Sequence, residues 1–162
     1  MKIFPTADIR EIDRYTIEHE PIASIDLMER ASAAIARRIE SHWDKKRRIC
    51  IFAGPGNNGG DALAIRILSE KGYAVHTYLF HDGKLSPDCE TNRRRVLQMP
   101  DAVFTEIRPG QAMPCIEPSD RIIDGLFGSG LHSSLHGFYA EAVQCINRSG
   151  AEVIAIDIPS GL

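Results

Sequence analysis

The apolar residues of this chain fall into short continuous runs, and stretches with helical spacing separate these runs. The runs predict buried strands at Ile49 to Ala53, Ala74 to Phe80, Arg121 to Asp124 and Glu152 to Asp157. A further short strand is expected from Val103 to Ile107. Strands that are apolar along their whole length are typical of a parallel sheet covered on both faces.

The intervening and leading segments predict helices, listed at the end of this paragraph. Because strands and helices alternate, the pattern predicts an α/β fold with right-handed crossovers. Two helices lead the chain without a strand between them, so they must pack on an edge or a face of the sheet. The predicted helices are Thr6 to about His19, Ser24 or Ile25 to about Trp43, one that includes Ala62 to Leu68, Pro87 to about Gln98, and Gly137 to Arg148.

Length and composition narrow the class of protein. The 162 residues suit one domain, and a net charge of −3 gives no support for nucleic acid or an anionic membrane as the main partner. No apolar run approaches membrane-spanning length, and the first residues lack the apolar core of a signal peptide. Four scattered cysteines without a CxxC pair indicate free thiols in a reducing compartment. We therefore expect a cytoplasmic protein of bacterial type.

The segment Gly54-Pro55-Gly56-Asn57-Asn58-Gly59-Gly60-Asp61 joins a predicted strand to a predicted helix. Glycines let the backbone approach a ligand, and a helix start offers free N–H groups. The spacing also matches the dinucleotide fingerprint, with Asp82 after the next strand as a ribose-binding acid. However, two amide side chains and an acid in the first helical turn suit a polar ligand or a cation equally well. A purely structural turn capped by Asp61 remains the alternative.

Two further predicted strands end in polar segments. Asp124 is followed by Gly128-Ser129-Gly130, and Asp157 is followed by Ser160. In an open α/β sheet, ligands bind beyond the carboxyl ends of the strands. Each residue alone could cap a turn, but three such segments at one edge predict a binding site. Two carboxylates in one cleft repel unless a proton, hydrogen bonds or a cation compensates them, and the oxygen ligands favour an alkali or alkaline-earth ion.

Three motifs and a helical segment resemble the NAD(P)H-hydrate epimerase family, also called the YjeF N-terminal domain, along the whole chain, residues 1–162. The motifs are Ala53 to Asp61 (the first motif), Asp124 to Leu131 (the second motif) and Ile156 to Leu162 (the third motif), with Leu27 to Ala31 as the helical segment. The resemblance implies a Rossmann-like three-layer α/β/α fold with a mostly parallel sheet. It also implies that the protein interconverts the R and S epimers of hydrated NADH and NADPH, a repair reaction.

The resemblance also implies roles for individual residues. Asn58, Asp124 and Ser160 are the expected ligands of a potassium ion. The chemistry of the implied reaction makes Asp157 the expected catalytic residue, since a carboxylate can stabilise a cationic ring and shuttle a proton with water. His132-Ser133-Ser134 stands where the family commonly has an arginine and a proline, so a cationic contact to the nucleotide is either missing or supplied from elsewhere, such as His132. The expected substrate contacts are Asn57, Asn58, Gly59, Gly60, Asp61, Gly128, Ser129, Gly130, Leu131, His132, Ser133, Ser134 and Asp157.

The family domain continues beyond the third motif, so we expect this chain to be truncated at its C-terminus. Such a chain should be less stable and more prone to associate than a longer one. In many bacterial members the domain is fused to an ATP- or ADP-dependent dehydratase. Two other classes stay open: a non-catalytic nucleotide-binding module that uses Asp82, and an interaction domain in which the two leading helices form a homodimer surface.

Overall fold

A five-stranded parallel sheet forms the centre of the protein, as seen in a computed structural model that describes residues 6–131 and 133–162. The strands are β1 (Ile49–Ala53), β2 (Val75–Phe80), β3 (Val103–Ile107), β4 (Arg121–Gly125) and β5 (Glu152–Ala155). Their order across the sheet is β3-β2-β1-β4-β5. The chain reverses its direction of winding between β1 and β4, which is where ligands bind in Rossmann-like sheets. The predicted α/β fold is confirmed.

Helices cover both faces of this sheet. They are α1 (Thr6–His19), α2 (Ser24–Glu40), α3 (Asn57–Ala64), α4 (Ile67–Glu70), α5 (Pro87–Leu97) and α6 (Gly137–Arg148). In β1, Ile49, Ile51 and Ala53 join the core under α2, α3 and α5, whereas Cys50 and Phe52 join the core under α6. This alternation follows from the period of two in a strand and produces three layers.

The first motif folds differently from the prediction. We expected a loop as far as Asp61 and one helix through Leu68, but α3 already begins at Asn57 and ends at Ala64. A break at Ile65 and Arg66 separates it from the short α4. Ile65 lies at this break, and its side chain is fully buried in the core. Consequently the prediction that Asp61 lies in the first helical turn is wrong.

Two other predicted boundaries are wrong for a tertiary reason. Helix α2 ends at Glu40 rather than near Trp43, because the chain turns there and inserts the Trp43 side chain into the core. The Trp43 indole Nε1 donates a hydrogen bond to Glu152 Oε1 at 2.8 Å. Strand β5 ends at Ala155 rather than Asp157, since the backbone leaves the sheet after Ile156 N donates to Asp124 O at 3.0 Å. Asp157 therefore lies in the segment after the strand.

Helix α2 packs on a face of the sheet, against α3, α4 and α5. A polar network ties these helices together: Glu29 pairs with Arg66 at 2.9 Å and with Arg95 at 2.7 Å. The fully buried Asn92 donates to Gly60 O at 3.1 Å, which fixes the first turn of α3 against α5. This network holds the first motif against α2 and α5.

The cysteines agree with the expectation of free thiols. All four are unpaired, with Cys50 and Cys89 buried. Burial raises the pKa of each of these two thiols to about 12, so both stay protonated at neutral pH. Within residues 6–131 and 133–162, no helix has the length and apolar character needed to cross a membrane.

Candidate active site

The carboxyl ends of β1, β4 and β5 surround one cavity of about 810 Å³. Because β4 pairs with β1 on one side and with β5 on the other, the three motifs meet here, as the sequence predicted. The described lining also includes Ala31 and Ile35 of α2, and Ile9 and Asp13 of α1. The two leading helices therefore form part of the site.

Close backbone packing places the first motif over the end of the sheet. A Cβ atom at Gly59 would lie 1.7 Å from Gly54 O, and one at Gly54 would lie 1.8 Å from Leu126 O. Only glycine permits these two approaches between α3, the end of β1 and the second motif. As a result the N-terminus of α3 opens towards the cavity, and its first N–H groups have no carbonyl partner within the helix.

The predicted substrate contacts divide into residues at the cavity wall and residues behind it. Gly59 and Gly60 are buried against Gly54 and Met28, so they shape the wall from behind. Ser134 lies in a groove of about 300 Å³ next to the cavity, and His132 lies outside the described residues. The predicted contacts that line the cavity are Asn57, Asn58, Asp61, Gly128, Ser129, Gly130, Leu131, Ser133 and Asp157.

Asp124 and Ser160 form a buried hydrogen-bonded unit beneath the cavity. Asp124 Oδ1 accepts from Ser160 Oγ at 2.6 Å, and Asp124 Oδ2 accepts from Ser160 N at 2.8 Å. Leu126 N donates to Oδ1 at 3.2 Å, and Phe127 N donates to Ser160 Oγ at 3.0 Å. These bonds fix the position of the Asp124 carboxyl group and connect the second motif with the third.

Asp157 connects the same two motifs at the cavity surface. Its Oδ2 accepts a hydrogen bond from Ser129 N at 2.7 Å. A Cβ atom at Gly128 would lie 2.5 Å from this oxygen, so the absence of a side chain at Gly128 permits the contact. The carboxylate is exposed and faces the cavity, where it can interact with a positively charged group of a ligand.

Asp61 belongs to the second turn of α3 and is half-buried at the cavity wall. Ser32 of α2 is fully buried, and its Oγ lies 3.1 Å from Asp61 O and 3.4 Å from Asp61 Oδ1. Burial raises the pKa of Asp61 to about 7, and the hydrogen bond from Ser32 opposes that rise. The carboxyl thus exchanges a proton near neutral pH.

Asn58 is the second residue of α3 and lies beside the end of the sheet that carries Asp124. Its backbone O would lie 3.3 Å from a Cβ at Gly125, the residue after Asp124. The amide Nδ2 is buried without a hydrogen-bond partner among the described residues. An unpartnered buried amide nitrogen is costly, whereas the opposite amide orientation would present an oxygen at this position. The site therefore suits a positively charged ligand beside Asn58.

The wall of the cavity is acidic. Asp13, Asp61 and Asp157 line it, and none of its described lining residues is a lysine or an arginine. Asp82 is exposed and is absent from the described lining, so the expected ribose-binding acid of a dinucleotide site does not reach this cavity. An anionic part of a ligand would have to rely on backbone N–H groups, whereas a cationic part has carboxylates available.

Sequence analysis missed several residues of the site, three of which contribute polar groups. Ser32 and Asp13 come from the leading helices, and the carbonyl of Phe127 lies 3.2 Å from Ser160 Oγ. Serines and acids on amphipathic helices are common on solvated faces, so no local signal distinguishes these two. A backbone carbonyl carries no sequence signal at all.

Several curated proteins are similar to this chain. A protein of Rhodobacter capsulatus named NAD(P)H-hydrate epimerase is 34% identical, over 99% of this chain and 77% of the relative. One of Limosilactobacillus fermentum with the same name is 33% identical, over 96% of this chain and 73% of the relative. A protein of Thermofilum pendens named bifunctional NAD(P)H-hydrate repair enzyme Nnr is 37% identical over all of this chain, which covers 32% of that longer relative.

The fold has a counterpart among solved structures. The crystal structure of yeast YNL200c matches 99% of this chain and 72% of its own, with a TM-score of 0.76 and 23% sequence identity. The family model described as YjeF-related protein N-terminus matches residues 24–162, from the start of α2 through the third motif. The chain therefore belongs to the YjeF-related N-terminal family, as its three motifs predicted.

Proposed function

We propose that this protein is an NAD(P)H-hydrate epimerase, an isomerase that interconverts the R and S epimers of hydrated NADH and NADPH. The observation that carries the proposal is the meeting of all three family motifs around one cavity with an acidic wall. Relatives named for this activity align with nearly the entire chain.

The acidic wall suits the chemistry of this reaction. Loss of the ring hydroxyl leaves a positively charged, iminium-like nicotinamide ring, and a carboxylate in a partly desolvated site lowers the free energy of such a cation. Two observations support this role for Asp157: its carboxylate lines the cavity, and Ser129 N donates a hydrogen bond to it. Epimerisation then requires water to return to the opposite face of the ring.

The direct test follows the two epimers by chromatography. Purified R epimer of hydrated NADPH should convert to the equilibrium mixture faster with the protein than without it, and hydrated NADH should do the same. Tight binding of unmodified NAD together with no acceleration would instead favour a non-catalytic nucleotide-binding module.

A potassium ion held by Asn58, Asp124 and Ser160 forms the second part of the proposal. Carboxylate, hydroxyl and amide oxygens suit a hard cation, and the unpartnered amide of Asn58 fits such a ligand. The ion would offset the charge of Asp124 and link α3 with the second and third motifs.

Potassium is expected to raise the melting temperature at constant ionic strength, because it binds the folded state preferentially. At about ten times its dissociation constant an ion contributes about 1.4 kcal/mol, which corresponds to roughly 3–6 °C. Thermal melts in potassium and choline chloride measure the difference. Asp124→Asn should remove most of it, whereas exposed Glu141→Gln should retain it. A potassium effect that persists in Asp124→Asn would contradict these ligands.

The proposal also includes a cellular location and a partner enzyme. The cysteine pattern supports a cytoplasmic location, where thiols stay reduced. The relative named as bifunctional supports a working partnership with an ATP- or ADP-dependent dehydratase in nicotinamide nucleotide repair, whether fused or separate.

The last part of the proposal is a homodimer in which α1 forms the interface between the two subunits. Ile9, Ile12 and Tyr15 of this helix are 43%, 47% and 60% exposed, and neighbouring exposed apolar side chains are typical of a surface that binds another protein. The double substitution Ile12→Asp and Tyr15→Asp is expected to shift the protein towards the monomer in sedimentation velocity experiments. Arg14→Asp with Glu18→Arg, charge changes on the same helix, should have a smaller effect. An equal monomer fraction in both variants and the wild type would argue against this surface.

A further inference from the structure

The carboxyl groups around the cavity differ in the number and length of the hydrogen bonds that their oxygens accept. Asp124 accepts three hydrogen bonds at 2.6 to 3.2 Å, and Asp157 accepts one from Ser129 N at 2.7 Å. Among the described residues, the Asp61 carboxyl has only the long 3.4 Å contact with Ser32 Oγ, a hydroxyl that lies closer to Asp61 O. Among the carboxyl groups of the three motifs, Asp61 therefore has the weakest hydrogen bonding.

The position of Asp61 in α3 explains this difference. The helix begins at Asn57, so Asp61 lies past the free N–H groups that favour a charged acid near a helix start. Gly60 N already bonds within the helix, to Gly56 O at 3.0 Å. Burial is the largest influence, and it raises the pKa of Asp61 to about 7.

Groups from four other parts of the structure act on this carboxyl. Ser32 of α2 favours its ionised form through a hydrogen bond. Asp13 of α1, Asp157 after β5 and Asp88 of α5 disfavour that form through charge repulsion. At neutral pH, Asp61 consequently exists both as an acid and as a base, which reversible proton transfer requires.

We infer that Asp61 is the catalytic acid and base of the proposed epimerisation, that Ser32 is its positioning residue, and that Asp157 stabilises the ring cation without transferring the proton. The inference rests on the proposed function and assigns the proton to a residue of the first motif rather than the third. Both carboxyl groups line the same cavity, so one substrate can contact both.

The proposed steps conserve atoms and charge. Protonated Asp61 gives its proton to the ring hydroxyl as the carbon–oxygen bond breaks, and the bonding pair leaves with the oxygen as water. The products are water, an iminium-like ring cation and the Asp61 carboxylate. Water then adds to the opposite face of the ring, and the carboxylate takes one of its protons. No oxidation or reduction occurs.

In the Asp61→Asn variant, the side chain has no carboxyl proton to transfer but keeps nearly the same shape and remains polar. General acid–base catalysis contributes about 10²- to 10⁴-fold, so kcat for conversion of the R epimer of hydrated NADPH should fall by about that factor, with KM changed far less. Far-ultraviolet circular dichroism and urea midpoints verify that the variant folds. A kcat within threefold of the wild type would overturn the inference.

A second experiment measures the pH dependence of kcat, after subtraction of the spontaneous rate. The wild-type rate should fall as pH rises through about 7, since the reaction starts from protonated Asp61. Ser32→Ala removes a group that lowers the pKa of Asp61, so it should move this fall to higher pH. Asp13→Asn removes a group that raises this pKa, so it should move the fall to lower pH. Glu18→Gln removes an exposed charge of α1 outside the described cavity lining and should leave the profile in place.

The outcomes separate the inference from the proposed function. Opposite shifts in Ser32→Ala and Asp13→Asn support Asp61 even if Asp61→Asn fails to fold. Unshifted profiles in an active enzyme overturn the role of Asp61 and leave the epimerase proposal standing. A wild-type protein that does not accelerate epimerisation overturns the proposed function, and the role of Asp61 with it.

Discussion

Replacing Gly59 with alanine is expected to lower the free energy of unfolding by on the order of 3 kcal/mol, a large fraction of the stability of a typical domain. The new Cβ would lie 1.7 Å from Gly54 O, a backbone atom rather than a mobile side chain. Gly54 cannot move away easily, because its N donates to Gly125 O at 3.0 Å. The clash would therefore force α3 away from the end of the sheet.

Gly56→Ala provides a matched control in the same motif. A Cβ at Gly56 has nothing within 4 Å, and its φ of −92° is accessible to alanine. Urea midpoints of the two variants and the wild type measure the difference. Equal midpoints for Gly59→Ala and Gly56→Ala would mean that the close packing of α3 on the end of β1 does not stabilise the fold.

Asp157→Asn is expected to lower kcat for epimerisation by about 10²- to 10³-fold, the usual loss when one electrostatic contact to a developing charge is removed. Asparagine still offers an oxygen to Ser129 N, so the contact between the second and third motifs should survive. The loss then reports on the missing negative charge rather than on a displaced loop.

Chromatographic rates for Asp157→Asn should be compared with those of Glu141→Gln, which removes an exposed carboxylate on α6. The falling limb of the pH profile should stay near its wild-type position in Asp157→Asn or move slightly to lower pH, since Asp157 only repels the charge of Asp61. An unchanged kcat would remove Asp157 from the reaction.

Most of the sheet could be predicted because its signal is local. A continuous apolar run predicted β1 with its observed bounds, and β3 was also predicted with its observed bounds. Ser86-Pro87 marked the start of α5, where Ser86 Oγ accepts a hydrogen bond from Cys89 N at 3.3 Å. The errors arose where distant contacts override local preference. Gly59 and Gly60 favour a loop by composition, but packing against Gly54 and Met28 keeps them in α3. The sequence up to Trp43 continues the helical spacing of α2, but the Trp43 ring packs in the core and the helix ends at Glu40.

The sequence by itself determined the parallel α/β fold, the family, and the three polar segments that would meet at one edge of the sheet. These follow from periodicity and from motifs whose residues are adjacent in the chain. Only the tertiary structure decided that α3 starts at Asn57, that Asp13 reaches the cavity and that Ser32 contacts Asp61. It also decided that burial raises the pKa of the Asp61 carboxyl to about 7, while the Asp157 carboxyl accepts a hydrogen bond from Ser129 N. The charge state of a carboxyl group depends on its burial and on partners from other elements, and neither can be predicted from the residues next to it in the sequence.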